Sequence, residues 1–118
     1  MTVTNGGLAE VAELIMGSGV AFDSLAIGIG TTNFEVTSTQ LNNEYARASA
    51  TASTETTDTT GDTVQFVHNF SFTETKAVTE VGVFNHATTG DMLAAQTFSA
   101  INVVNGDSLQ ITYKADLD

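Results

Sequence analysis

The chain has 118 residues, 42% of them hydrophobic, with 14 acids against 3 bases, a formal net charge of −11 and a pI near 4.1. That length fits one domain, expected over residues 1–118, with enough apolar content to bury a core and no apolar run of about 18 residues to cross a bilayer. Only Arg47, Lys76 and Lys114 are basic, so no counterion-releasing footprint exists, and neither nucleic acid nor an anionic membrane is expected as a partner.

No basic start followed by an apolar segment opens the sequence, so a secretory leader is not expected. Cysteine and proline are both absent, which excludes disulfides and leaves turn geometry to glycine and asparagine. A lysine-poor acidic surface repels itself at low ionic strength and is screened in brine. It suits a protein adapted to high salt, or an acidic protein kept soluble by its charge.

In chain order, "NGGLAEVAELIMGSG" has a helical period, with Leu8, Val11, Ala12 and Ile15 at i, i+3, i+4 and i+7. Asn5 is the expected start and Gly17 the stop, giving one short N-terminal helix over about 6–16. From about 22 to 116 the pattern is that of strands. "LAIGIG" at 25–30 reads as a strand whose glycines at 28 and 30 permit close approach of another backbone. Residues 44–57, rich in Thr, Ser and Ala, read as one long strand. Val64, Phe66, His68, Phe70 and Phe72 alternate onto one face of the next. Strands at 78–85, 92–99 and 108–114 follow, joined by the turns "HATTGD" and "NGD". The expected fold is all-β, an antiparallel, jelly-roll-like β-sandwich with one short N-terminal helix.

Chemistry is sparse. His68 lies on the phenylalanine-rich face and reads as a packed histidine, His86 begins a turn, and no GxSxG elbow is present. Asp58 and Asp62 flank a glycine turn, while Asp91 and Asp107 each follow a glycine, but EF-hand spacing is missing and turn geometry accounts for all four. No catalytic residue, cofactor or metal is expected. Glu80 is the exception that needs a reason, because it interrupts an apolar strand. A carboxylate there either looks to solvent or has a partner, since an unpaired buried charge costs several kcal/mol. Arg47 is the only arginine, and the expectation is a bidentate Arg47–Glu80 pair, across the sheet or across a subunit boundary, that fixes register.

The run "VTEVGVFN" from Val78, then a short turn and "GDMLAAQTFSAINVVNGDSLQITYKADL" to Leu117, resembles a group of small structural proteins of tailed phages and tailed archaeal viruses. The shared elements are a T-E-x-G-x-F-N strand (79–85), G-x-M-L-A (90–94), T-F-S (97–99) and a closing G-D-[ST]-L-x-[IV]-T-[YW] strand (106–113). Upstream, "IGIGTT" at 27–32 and "TQLNNEYAR" at 39–47 also fit, so the resemblance covers about three-quarters of the chain.

The resemblance implies a β-sandwich part of a virion with no catalytic residues, assembled in the host cytoplasm. Its partners would be other copies of itself and other virion proteins of the capsid or tail. The charge departs from usual members and suits a virus of a salt-loving host. A compact acidic domain with one helix fits a homo-oligomeric capsid decoration or turret. The alternatives are a tail, neck or baseplate protein, or a module whose loops at 57–62, 86–91 and 105–107 bind a glycan or calcium. Val81, Val83 and Leu93 are candidate interface residues, with the sandwich core as the other place for them.

Overall fold

In the computed structural model, which describes residues 1–117, the alternating stretches become two antiparallel sheets packed face to face. The elements are β1 (Thr2–Val3), α1 (Asn5–Ile15), β2 (Ser24–Gly28), β3 (Glu44–Ser49), β4 (Thr51–Glu55), β5 (Thr63–Ser71), β6 (Lys76–Phe84), β7 (Met92–Val103) and β8 (Ser108–Asp116). One sheet has the order β1-β7-β6-β2-β3 and the other β4-β5-β8. The sandwich and its single helix are as expected; the five-and-three order gives no ground for the name jelly roll.

The stretch expected as one strand over 44–57 is two. Its first half pairs with β2, its second with β5, and the chain changes sheets at Ala50, whose N–H donates to Asp23 O at 2.8 Å. Between the sheets lie Leu25, Ile27, Phe66, Phe70, Phe72, Val78, Val81, Val83 and Leu93. Each large aliphatic or aromatic side chain so buried contributes about 1.5–3 kcal/mol. The interface candidates Val81, Val83 and Leu93 are therefore corrected to core residues, at 4%, 0% and 7% exposure.

A second, smaller cluster of Ala26, Leu41, Phe84, Met92 and Ala95 lies on the outer face of the five-stranded sheet, with Phe34 packed against it. Leu41 and Phe34 come from the long connection between β2 and β3, which folds back over that face. The β6–β7 register slips just before this region, since Val78 faces Ile101 while Glu80 faces Thr97. Across that break Val78 joins the inner core, whereas Glu80 lies under the folded-back connection.

The helix is fixed firmly but by an unexpected face. Thr4, not Asn5, is its N-cap: its hydroxyl accepts from Gly7 N at 2.9 Å and donates to Met92 O. At the other end Ser18 N reaches Glu13 O at 2.9 Å and Gly17 N reaches Leu14 O at 3.1 Å, a Schellman motif with Gly17 at φ 85°. Gly7 lies flat on the Leu93 backbone, where a Cβ would collide, and buried Glu10 accepts from Val20 N at 2.5 Å. Docking through Gly7, Glu10 and the half-buried Val11 and Leu14 leaves Leu8 57% and Ile15 82% exposed. The expected apolar face is thus turned largely outward, because only a glycine allows so close a backbone approach.

Candidate functional site

Glu80 is 0% exposed, and Arg47 is not its partner. Its Oε2 accepts from Asn43 N at 2.8 Å and Gly30 N at 3.2 Å; its Oε1 accepts from Asn42 N and Asn42 Nδ2, both at 3.1 Å. A carboxylate offers about four lone-pair sites, and all are filled. The buried charge is thus compensated by neutral N–H dipoles. Space for it is made at Gly28 and Gly30, where an added Cβ would strike the carboxylate or Asn42. Beside it, Thr79 Oγ1 donates to Gly30 O at 2.5 Å, and Asn42 Nδ2 also reaches Thr32 O at 2.6 Å. The result is a clamp that holds the β2–β3 connection onto β6. Asn42, Asn43, Gly28 and Gly30 were not foreseen as its members, although the "GIG" and "NN" pairs were the available signal.

Arg47 lies one layer over. Its Nη2 and Nε fork onto Glu44 at 2.7 and 3.1 Å, its Nη1 donates to His86 O at 3.0 Å and Thr89 O at 2.7 Å, and its guanidinium stacks 3.6 Å above the Phe84 ring. With 7% of its side chain exposed, it pins the β6–β7 turn to the β3 edge. That turn is strained at Thr89, a β-branched residue at φ 51° just before Gly90 at φ 76°. The expected Arg47–Glu80 pair, within the chain or across a subunit boundary, is corrected on both sides. Around Arg47 a cleft of about 590 Å³ opens, walled by Thr39, Gln40, Asn43, Glu44, Thr88 and Thr89.

The remaining candidates are dispersed. His68 is half-buried with its ring edge-on to Phe70 at 4.7 Å, and His86 sits in the turn that Arg47 holds. Carboxylate oxygens of Asp58, Asp62 and Asp116 lie within 4.8 Å of one another at one end of the sandwich. The Asp62 carboxylate is held well below the usual carboxylate range by N–H groups of Thr59, Thr57 and Asp58, at 2.9, 2.9 and 3.0 Å. It therefore acts as the organiser of its own turn. Asp107 does the same at the β7–β8 turn, accepting from Val104 N at 2.8 Å, and Asp91 N donates to Asn85 Oδ1 at 2.8 Å.

A groove of about 260 Å³ lies between the outer ends of β7 and β8, lined by Val81, Phe98, Ile101, Ile111 and Tyr113. Tyr113 is buried, its hydroxyl has no hydrogen-bond partner among the described residues, and burial pushes that hydroxyl well above its ordinary pKa. In comparisons with known proteins, no family model matches this chain and no curated protein matches it in sequence.

Proposed function

We propose that the chain is a non-enzymatic structural protein of a virion, a homo-oligomeric decoration or turret on the capsid of a tailed virus. The observation that carries this reading is how the motif residues are employed. Thr79, Glu80 and Asn85 of "TEVGVFN" bond to Gly30, to the 42–43 backbone and to Asp91. Arg47 of "LNNEYAR" is occupied by Glu44 and two turn carbonyls. Polar groups that a catalyst would aim at a substrate are here closed upon the fold, as suits a part selected for rigidity. The charge of −11 favours a setting of high salt, and with it a virus of a halophilic host. A tail, neck or baseplate position is the alternative within the same class.

The test is mass by light scattering at low salt and at about 3 M salt, where the screening length shrinks to about 2 Å. A discrete oligomer that forms or tightens at high salt is the expected result. A monomer under both conditions moves the reading to a tail component that assembles only on a partner. A second reading, a glycan-binding module, is favoured by the Arg47 cleft with its amide and hydroxyl walls. Saturable binding on a glycan array, lost in Gln40→Ala, would select it.

A further inference from the structure

Four strands form the lateral edges of the two sheets: β1, β3, β4 and β8. β1 has two residues and covers only Ala94 and Ala95, so β7 is open beyond them, on the flank it shares with β8; the β3 edge is guarded by the Arg47–Glu44 fork and the turn it holds. β4 ends at Glu55, next to the turn carrying Asp58 and Asp62. β8 is different. It runs nine residues, Ser108–Asp116, without glycine or proline, and β5 covers only one side of it.

The hydrogen-bond phase of β8 follows from its two ends. Asp107 O accepts from Phe72 N, and Leu117 N donates to Asp62 O, both toward the β5 side. Peptide groups of alternate residues in a strand point opposite ways, so odd-numbered residues bond β5 and Gln110, Thr112 and Lys114 direct their N–H and C=O outward. Such an edge is a template for another strand.

Charge says which strand. The molecule repels its own copies through a net charge of −11, yet residues 92–106 carry no ionisable side chain, and β8 itself carries one base and one acid, Lys114 and Asp116. The flank made by the end of β7 and by β8 is therefore the one where two copies meet without acid facing acid, and a groove of mixed lining, with Phe98, Ile101 and Ile111 beside Gln96, Gln110 and Thr112, runs along the same edge.

We propose that β8 pairs antiparallel with β8 of a second copy about a two-fold axis at Thr112, joining two three-stranded sheets into one. In that register Thr112 faces Thr112, Gln110 faces Lys114 and Ile111 faces Tyr113 of the other copy, so no charge meets its like. The inference deepens the homo-oligomeric reading and rests on it.

The experiment is amide hydrogen exchange on the wild-type protein at about 3 M salt over a range of concentration, alongside light scattering. The Gln110, Thr112 and Lys114 amides should gain at least ~10-fold protection as the oligomer forms, while amides of odd-numbered β8 residues stay protected throughout. Thr112→Cys, exposed and in a chain without cysteine, should cross-link to its own copy ~10-fold faster than Thr54→Cys on β4. An oligomer whose even-numbered β8 amides stay open, or equal cross-linking of both cysteines, overturns the β8 pairing and leaves the homo-oligomer standing. A monomer at every concentration and salt overturns both.

Discussion

Replacing Glu80 by Gln tests the clamp with the smallest change of shape. Glutamine retains one acceptor oxygen and presents an NH2 where the other oxygen stood, facing two donors. If the amide oxygen keeps Gly30 N and Asn43 N, then Asn42 N and Asn42 Nδ2 lose their acceptor. Asn42 Nδ2 retains Thr32 O, so the main loss is the bond of one part-buried backbone N–H together with the charge that strengthened the other bonds. At about 1–3 kcal/mol per unsatisfied buried group, and somewhat more for bonds to a charge, the substitution should cost about 2–4 kcal/mol. For a chain of this size roughly 4 °C accompanies each kcal/mol, so the melting temperature should fall by about 8–16 °C. Thermal and urea unfolding followed by circular dichroism would measure it, with hydrogen exchange at the Asn42 and Asn43 amides as the local readout. Because the carboxylate is fully buried, the loss should be the same at 0.1 M and at about 3 M salt. A loss under about 1 kcal/mol, or one that salt erases, would refute the clamp and return Glu80 to surface electrostatics.

Further expectations follow from the same geometry. Arg47→Ala and Glu80→Ala should be additive within about 0.5 kcal/mol in a double-mutant cycle, since the two side chains have separate partners; a larger coupling energy would reinstate their pairing. Thr89→Asn, which places the favoured Asn-Gly pair at the two positive φ values of 51° and 76°, should stabilise by ~1 kcal/mol in urea unfolding. Asp62 has a folded-state pKa below its ordinary 3.8, so the stability it lends is present above about pH 4 and is lost as pH falls toward the folded value. Acid titration of wild type against Asp62→Asn should show that pH dependence flattened in the variant.

Much of the sheet was legible because strands write their orientation into the sequence at period two. Phe66, Phe70 and Phe72 fall in the core where alternation put them, and the turns at Gly61, Gly90 and Gly106 take the positive φ their glycines invite. Charges are equally visible, which explains the Arg47–Glu80 expectation: in a chain with one arginine, an acid in an apolar strand points there. The donors that hold Glu80 are backbone N–H groups, carried alike by every non-proline residue and therefore without a signature in sequence.

What the sequence by itself determined was the class of the fold, the place of most of its strands, the acidic net charge and the lack of thiol chemistry. Period, turn chemistry and net charge are local or additive properties, readable without coordinates. Tertiary structure alone decided that residues 44–55 change sheets at Ala50, that the register slip before Glu80 turns it away from Val78, and that α1 docks through Gly7 rather than its apolar stripe. Each of these depends on which backbone lies within bonding distance of which other, and on room left by a missing Cβ. Those are relations between segments distant in sequence, such as Ala50 with Asp23, Glu80 with Thr97 and Gly7 with Leu93, and packing settles them.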